Sequence, residues 1–423
     1  MEAVLMANKK NADIKFYHLV QPYFFAHHHF HKRKIDVLRQ NGFDAKILSV
    51  VPKSLYIKNY NRYSMLEKNG YVELIVVPVS AIASIYLFVF LFREFLKSNK
   101  LSIHVLRSNP WPIVFFKVFP FFNSKLHYFQ EFEGDSYSEF IYSREYCEFP
   151  RPPEKASRLL NKVKSNFILK LDKVQALVAD GLILMSDEHV KLWGLRLKRT
   201  IRAAVLPTLA DPKLVWFDEE ARTEIRSRYN LGDNLVLTYT GNVICHWQRR
   251  EEMCRLIKKL SADVPNIRFM AIVRSDDLVL MEESIRRHGI LDLTILLSVD
   301  HDQVYKYLSA ADLALFLRHD HTMNTVVTSG KLGEYLSAGL PVLTTGSNAA
   351  VLNRFISSAN AGCFIDDSLE VNALVLDYLH AINKDKGNLN KRHNICNATH
   401  AKFRDSENPF NSYAQFVKAI SIG

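Results

Sequence analysis

The chain alternates short runs of β-branched and aliphatic residues with longer segments in which apolar residues recur at helical spacing. The predicted strands are Ile14–Val20, Ala45–Val50, Glu73–Val79, Ile103–Ser108, Lys125–Glu131, Gly181–Ser186, Ala203–Pro207, Leu235–Thr240, Ile267–Val273, Leu293–Val299, Leu313–Arg318 and Pro341–Thr345. Strands that are apolar along their whole length and separated by helices indicate parallel sheets covered on both faces. We therefore expect an α/β fold built from doubly wound, Rossmann-like sheets.

The length indicates two domains. A chain of 423 residues is too long for one compact core, because domains cluster near about 100–200 residues. Two prolines, Pro207 and Pro212, bracket a short linker after the last predicted strand of the first half. We predict one Rossmann-like domain over residues 1–208, a second over residues 209–405, and a closing C-terminal helix over residues 406–423.

Composition excludes several classes of protein. Hydrophobic residues make up 48% of the chain, and its 15 glycines and 14 prolines are too few for a disordered or collagen-like protein. The five cysteines form no CxxC pair, which argues against a disulfide framework or a zinc knuckle. The N-terminus lacks the pattern of a signal peptide, so we expect a cytoplasmic protein.

Two apolar segments of the first domain bear on that expectation. Leu74–Phe92 has nineteen residues without a charge, close to the ~20 residues of a membrane-spanning helix. Pro78 indicates the end of a strand, which leaves about fourteen residues for a helix that is buried or interfacial. Trp111–Phe122 has one charge in twelve residues. Both segments either cover the first sheet or dock peripherally on the anionic inner face of a membrane.

The sharpest motif spans Thr328–Thr345. Thr328 or Ser329 is suited to cap a helix, Gly339 to end it in the left-handed conformation, and Pro341 to prevent its continuation into the strand that follows. The motif therefore predicts a loop, a helix and a strand in that order.

Two charged residues of this helix indicate a ligand. Lys331 falls in the first turn, where the positive end of the helix dipole disfavours a cation unless an anion binds there. Glu334 follows three residues later on the same helical face. A cation for a phosphate beside a carboxylate for sugar hydroxyls is the pairing that a nucleotide-sugar pocket needs.

The sequence around this helix resembles the donor-site signature of family 4 glycosyltransferases with the GT-B fold, closest to the branch that makes bacterial cell-surface polysaccharides. The matching segments are Ala311–Arg318, Asn324, Lys331–Leu336, Gly339–Val342, Tyr239–Asn242 with Trp247-Gln248, and Ala179–Ser186 with Val205–Pro207. They follow one another in the family's order between about Ala179 and Gly362.

The resemblance implies two Rossmann-like domains facing a cleft. It also implies transfer of a sugar from a nucleotide-sugar donor to a glycan or lipid-linked acceptor, with retained anomeric configuration, in surface polysaccharide biosynthesis. It assigns Glu334 to the ribose, Lys331 to a phosphate and Arg318 as a second cation, and these are the expected catalytic residues. The expected donor-binding residues are Gly241, Asn242, Trp247, Gln248, Arg274, Asn324, Ser329, Gly330, Lys331 and Glu334.

Two positions depart from the family pattern. Val326 stands where the family often has the first of two glutamates eight positions apart, and Asn242 stands where an arginine is usual. Arg249, Arg250 or Arg274 could supply the missing cation, and spacing alone leaves all three open.

The first domain is expected to bind the acceptor. Its candidate residues lie at or beyond the carboxyl ends of predicted strands, where ligands of doubly wound sheets bind; they are His27, His28, His29, Arg107, Glu131 and Glu133. The histidine run is not expected to hold a metal, because adjacent side chains point in different directions and no carboxylate or cysteine cluster accompanies it.

We expect no metal and no cofactor besides the donor substrate. Asp300-His301-Asp302 matches the metal motif of a different glycosyltransferase fold, but it opens a predicted helix, so helix capping explains it.

Two other functions remain open. A sugar-nucleotide epimerase on a GT-B-like fold would use the same donor, and a nucleic-acid-binding protein would account for the net charge of +11. The latter lacks recognition motifs, and its basic residues are spread along the whole chain. The expected partners are therefore a nucleotide-sugar donor, a glycan or lipid-linked oligosaccharide acceptor and an anionic membrane surface, without nucleic acid.

Overall fold

The structure is a computed structural model that describes residues 14–24, 28–145, 154–208, 210, 212–264, 266–345, 361–404 and 408–422. The chain divides into two compact units, here called the first and second domains. The first comprises the described residues up to Tyr137, those of Leu159–Pro207 and those after Ser406; the second comprises the described residues of Ser138–Arg158 and Thr208–Asp405.

The first domain contains a seven-stranded parallel sheet in the order β3-β2-β1-β4-β5-β6-β7. Its strands are β1 Ile14–Val20, β2 Asp44–Pro52, β3 Val72–Val77, β4 Lys100–Leu106, β5 Leu126–Phe132, β6 Gly181–Leu184 and β7 Ala203–Val205. The helices of this part of the chain are α1 His28–Gln40, α2 Lys53–Lys58, α3 Tyr60–Lys68, α4 Ala83–Lys97, α5 Trp111–Val118, α6 Pro120–Asn123, α7 Ser136–Glu145, α8 Glu154–Val178 and α9 Asp187–Leu197.

The second domain contains a six-stranded parallel sheet in the order β10-β9-β8-β11-β12-β13. Its strands are β8 Leu235–Thr240, β9 Ile267–Ile272, β10 Thr294–Leu297, β11 Leu313–Phe316, β12 Val342–Thr345 and β13 Gly362–Ile365. The remaining helices are α10 Glu219–Arg228, α11 Arg250–Asp263, α12 Leu278–Arg287, α13 Val304–Ala310, α14 Thr322–Val326, α15 Gly330–Ser337, α16 Ala373–Asp385, α17 Asn390–Arg404 and α18 Pro409–Ile422.

The strand pattern confirms the predicted fold class of two Rossmann-like α/β domains. Every strand predicted from the sequence is present, with ends that differ by a few residues, and β13 is the strand that the sequence analysis missed. The central strands β8, β11 and β12 are buried at every position. Helices cover both faces of a parallel sheet, so the few polar side chains of these strands are hydrogen-bonded inside the domain; the hydroxyl of Thr238, for example, donates to the carbonyl oxygen of Met270 at 3.0 Å.

The C-terminal helix α18 packs on the sheet of the first domain. Phe410, Tyr413 and Val417 belong to the same hydrophobic cluster as strand β1 and helix α1. A Cβ atom at Gly181, the first residue of β6, would lie 2.7 Å from the ring of Phe416 on α18. A larger residue at this position would force the ring to move where this helix crosses the strand.

The uncharged segment Leu74–Phe92 forms the end of β3 and most of α4. Leu87, Leu91 and Phe95 of α4 pack in the core, whereas Ile85 is 62% exposed. Among the described residues, no helix is both long enough and apolar enough to cross a bilayer.

Asp312 connects three elements of the second domain. Its carboxylate, which precedes β11, lies 2.6 Å from Nη2 of Arg222 and 3.2 Å from Nη1 of Arg226, both on α10. It also accepts a hydrogen bond of 2.9 Å from the backbone N–H of Val236 on β8. The buried carboxylate of Asp312, paired with two arginines and a backbone amide, thus holds α10, β8 and β11 together.

We predict that Asp312→Asn lowers the free energy of unfolding by about 3 kcal/mol or more, because removing one partner leaves two largely buried guanidinium groups without their counter-ion. Urea denaturation of the full chain measures the loss. The control is Asp233→Asn, since Asp233 is 97% exposed although it also pairs with a lysine, Lys386; exposed pairs contribute under about 1 kcal/mol. Equal stability of the two variants would contradict the assignment.

Candidate functional site

The second domain brings the predicted donor residues to the carboxyl ends of its central strands. Gly241 directly follows β8, Arg318 lies two residues beyond β11, and Lys331 lies in the first turn of α15. Since β8 and β11 are hydrogen-bonded neighbours, these positions meet at one edge of the sheet. This is the edge at which doubly wound sheets bind ligands.

Lys331 is held by two neutral groups. Its ammonium donates hydrogen bonds of 2.6 Å to the hydroxyl of Tyr239 and 2.8 Å to Oε1 of Gln248. It also lies 4.2 Å from the centre of the Tyr239 ring, a cation–π distance. No carboxylate pairs with this ammonium among the ion pairs of the described residues.

Gly241 makes room for this lysine. Its φ is +102°, and a Cβ atom there would lie 2.6 Å from Cε of Lys331. Any other residue would be strained by the backbone conformation and would displace the lysine. The position of the Lys331 side chain therefore requires a glycine at residue 241, where the loop after β8 begins.

Arg318 is linked to the same group of residues. Its Nη1 donates to the carbonyl oxygens of Leu317, at 2.8 Å, and Trp247, at 3.2 Å. The adjacent Gln248 contacts Lys331, so the short turn His246–Gln248 connects both cations. The predicted residues Trp247 and Gln248 therefore contribute a backbone carbonyl and a side-chain amide to the site.

The surroundings disfavour the charge of Lys331. Burial, and then the positive charge of Arg318, lower the pKa of Lys331 well below the ordinary value of a lysine, although Glu334 acts in the opposite direction. Burial also lowers the pKa of Arg318. Two neighbouring basic groups in a site with little negative charge are suited to bind a multiply charged anion. Such an anion would raise the pKa values of Lys331 and Arg318 toward their ordinary values.

Glu334 lies one turn after Lys331 on α15. Its side chain is 20% exposed, and its Oε1 lies 3.2 Å from Nε2 of His301. The hydrogen bond to Glu334 raises the pKa of His301, while burial opposes this shift. A partly exposed carboxylate whose partner is a highly exposed histidine can exchange that contact for the hydroxyl groups of a ligand.

The N-terminus of α15 adds backbone donors. Ser329 occupies the N-cap position, but its side chain makes no capping hydrogen bond. The hydroxyl of Thr328 instead accepts a hydrogen bond of 2.8 Å from the backbone N–H of Thr208. The first backbone amides of α15, from Gly330 onward, therefore have no side-chain cap. Uncapped amides at the N-terminus of a helix favour the binding of an anion.

Two other predicted donor residues shape loops. Oδ1 of Asn242 accepts a hydrogen bond of 2.8 Å from the backbone N–H of Ile244, so Asn242 forms the turn after β8. Asn324 is buried and donates a hydrogen bond of 2.8 Å to the carbonyl oxygen of His319. Both stabilise the backbone on which the cations depend.

The three arginines that could supply the cation missing at Asn242 each contact other residues. Arg249 pairs with Asp367 at 2.6 Å, and the Nε of Arg250 donates to Ser284 at 2.7 Å. Arg274 is exposed and lies 3.5 Å from Asp276. Lys331 and Arg318 are the cations that the turn His246–Gln248 connects, and a donor contact by Arg274 stays a prediction.

The capping explanation of Asp300-His301-Asp302 is wrong in its detail. Asp300 precedes a short 3₁₀ turn, His301–Gln303, but its side chain makes no capping hydrogen bond. His301, the central residue, contacts Glu334 instead. Sequence analysis missed His301 because its partner lies 33 residues away in the chain.

The acceptor-side candidates of the first domain lie in different environments. Arg107 pairs with Glu133 at 2.6 Å, and the arginine side chain is 57% exposed. Glu131 is buried in the core, where it contacts Lys34 and His104. His28 and His29 begin α1, and His27 lies outside the described residues.

Comparison with known proteins identifies the fold. No protein-family model matches the chain, and no curated protein matches its sequence. HepE of Anabaena in complex with UDP is 13% identical, with a TM-score of 0.62 over 97% of this chain and 100% of its own. A glycosyltransferase of Rickettsia africae is 13% identical, with a TM-score of 0.61 over 96% and 98% of the two chains. WaaG, a glycosyltransferase of lipopolysaccharide biosynthesis, is 15% identical, with a TM-score of 0.56 over 97% and 100%.

This chain has the GT-B fold. The solved structures named above are GT-B glycosyltransferases, and the two parallel α/β sheets confirm the fold class expected from the sequence. At identities of 13–15% the similarity concerns the fold.

The lowered pKa of Lys331 predicts a pH-dependent affinity for a nucleoside diphosphate. An anion stabilises the protonated amine, so the affinity should fall as the pH rises through the pKa that Lys331 has in the free protein, below the ~10.4 of an ordinary lysine. Binding should also take up protons in that range. Calorimetric titration with UDP above about pH 7, in buffers of different ionisation enthalpy, measures both effects.

Lys331→Met should bind UDP weakly and lose this pH dependence, whereas Lys259→Met, at an exposed position, should retain it. If the affinity of Lys331→Met for UDP still falls with rising pH in this range, the titrating group is a residue other than Lys331.

Proposed function

We propose that this protein is a glycosyltransferase that moves a sugar from a nucleotide-sugar donor to a glycan or lipid-linked acceptor, with retention of the anomeric configuration, in the synthesis of a surface polysaccharide. The second domain binds the donor, and the first domain supplies the acceptor side, with the exposed Arg107 and the half-buried Glu133 as its candidates. The reaction takes place in the cytoplasm, at the inner face of the membrane.

The observation that carries this proposal is the placement of two cations, a helix N-terminus and a carboxylate at one edge of the second sheet. When the bond between the sugar and the nucleoside diphosphate breaks, the leaving group gains negative charge. Lys331 and Arg318, with the first amides of α15, stabilise that charge, and Glu334 accepts hydrogen bonds from ribose hydroxyls. Cations that are fixed before the reaction cost no reorganisation in the transition state.

The structural relatives support the choice of donor. HepE of Anabaena has been crystallised with UDP-glucose, and its fold matches this chain with a TM-score of 0.62. We therefore propose UDP-sugars as the first donors to test. The residues on this chain that favour a diphosphate are the same two cations, so the proposal does not rest on fold alone.

We predict that Lys331→Ala and Glu334→Gln each lower turnover by about 10²-fold or more at saturating donor, because one preorganised charged partner contributes a few kcal/mol to the transition state. The assay follows labelled sugar from UDP-sugars into the lipid and glycan fractions of a bacterial membrane extract, and NMR of the product gives its configuration. Lys259→Ala and Glu370→Gln, which remove an exposed ion pair of the same domain, are matched controls.

The possible outcomes separate the alternatives. Near-wild-type turnover in either site variant contradicts the assignment of that residue, provided that thermal unfolding shows a folded protein. An altered free donor without transfer indicates the epimerase. Transfer with inverted configuration would overturn retention but leave the donor site intact.

The first domain carries a surface suited to membrane attachment. The helices α4 and α5 pack on one hydrophobic cluster, which also includes Val178 at the end of α8. The outward-facing residues of α4, α5, α6 and α8 include many large apolar side chains that are exposed: Ile85, Tyr86, Val89, Phe92, Leu96, Trp111, Phe115, Val118, Phe121, Leu159, Leu160, Val163, Phe167, Val174 and Leu177. We call this set the outer helical face.

The charges on the outer helical face favour an anionic bilayer. The exposed charged residues of α4, α5, α6 and the described part of α8 are all basic: Arg93, Lys97, Lys162, Lys164 and Lys170. The acidic Glu94 is buried and pairs with Lys15 at 2.6 Å. Each basic residue near an anionic leaflet contributes about 1 kcal/mol, and exposed apolar side chains insert at the headgroup level.

We predict that the full chain co-sediments with vesicles that contain anionic lipid, and that high salt releases it. Charge reversal of Lys162 and Lys164 to glutamate should weaken binding by about 10-fold or more, since two contributions of about 1 kcal/mol change to repulsion. The matched control reverses Lys53 and Lys58, two exposed lysines of α2. The surface assignment fails if both double variants bind equally or if wild-type protein does not bind at low salt.

A further inference from the structure

The first domain contains a buried polar cluster that the proposed reaction does not use. His18 on β1 and His104 on β4 are paired across the sheet in register, and Glu131 lies near the end of the next strand, β5. The exposed fractions of His18, His104 and Glu131 are 0%, 0% and 2%. One potential ligand atom from each lies within 4.8 Å of those of the other two.

Each of the three side chains is oriented by a contact from one side. Nε2 of His18 lies 3.0 Å from Nδ1 of His31 on α1. Nδ1 of His104 lies 2.8 Å from the hydroxyl of Tyr413 on α18. Oε2 of Glu131 accepts a hydrogen bond of 2.5 Å from Nζ of Lys34 on α1. Histidine and carboxylate ligands of metal ions are oriented by partners of this kind on the side away from the metal.

The opposite atom of each side chain has no hydrogen bond. Nδ1 of His18, Nε2 of His104 and Oε1 of Glu131 are buried and without a hydrogen-bond partner among the described residues. Nε2 of His104 lies 2.9 Å from Oε2 of Glu131 but outside hydrogen-bond geometry. A buried polar atom without a partner costs about 1–3 kcal/mol, so three such atoms in one place require an explanation.

The residue types suit a cation. A neutral imidazole keeps a lone pair on one ring nitrogen, and a carboxylate offers two oxygens. These are the forms in which histidine and glutamate bind metal ions.

We propose that His18, His104 and Glu131 bind one zinc ion in the core of the first domain. Two imidazoles and a carboxylate form a ligand set that zinc takes at bond lengths of about 2.0–2.2 Å. The ion would satisfy the three unpartnered atoms and connect β1, β4 and β5. This inference goes beyond the proposed transferase activity and does not depend on it.

The ammonium of Lys34 should weaken zinc binding. It pairs with the carboxylate of Glu131, so its positive charge repels an added Zn²⁺ ion. Lys34→Met removes that repulsion and leaves Glu131 without its cation, and both effects make zinc bind more tightly. A purely structural polar cluster would show the opposite behaviour, because Lys34→Met would destabilise it and zinc would not restore it.

The test measures zinc by elemental analysis in the full chain, produced without a polyhistidine tag in zinc-supplemented medium and then desalted. One equivalent per chain is expected, with a melting temperature that falls when a chelator removes it. His104→Gln and Glu131→Gln should lose the zinc. His288→Gln should keep it, since His288 is a histidine of the second domain that also contacts a carboxylate, Glu251.

Zinc-free wild-type protein would overturn the proposal, as would full zinc content in both ligand variants, which would locate the metal elsewhere. If those variants do not fold, cobalt-substituted wild-type protein and Lys34→Met decide the question. The intense visible absorption of cobalt with fewer than six ligands, together with tighter binding in Lys34→Met, supports the site. A weak six-coordinate spectrum, or no gain in affinity, contradicts it.

Discussion

The ammonium of Lys331, held by a tyrosine hydroxyl and an amide oxygen, is the interaction on which the account of the second domain depends. Hydrogen bonds of 2.6 and 2.8 Å fix it in position, yet neither partner neutralises it. The loop after β8 supports this arrangement, because Gly241 leaves the space that the lysine occupies. A charge that is fixed but not neutralised is the electrostatic preorganisation that favours a diphosphate leaving group.

Much of the fold could be predicted from the sequence, because the strands of a parallel sheet covered on both faces are short and largely apolar runs. The run Leu235–Thr240 was predicted with the same ends that the structure shows. β13 was missed, since Gly362–Ile365 has four residues and begins with a glycine. The exposed apolar side chains of α4 were also ambiguous, because apolar residues on both faces of a helix are typical of burial as well as of a membrane surface.

The candidate site was predicted less completely. Lys331, Arg318 and Glu334 were identified from one helix, the strand before it and a family resemblance. The hydroxyl of Tyr239 and the imidazole of His301 were not assigned to the site, because their contacts join residues 92 and 33 positions apart. The cluster of His18, His104 and Glu131 shows the same limit: its members lie on three separate strands, so no local spacing reveals them.

The most direct test of the central claim is a crystal structure of the full chain with UDP. The account predicts that the diphosphate lies at the carboxyl ends of β8 and β11, with Nζ of Lys331 moved from Tyr239 and Gln248 to a phosphate oxygen. It also predicts that the carboxylate of Glu334 contacts a ribose hydroxyl in place of His301. A diphosphate bound elsewhere, with Lys331 still on Tyr239 and Gln248, would contradict the account.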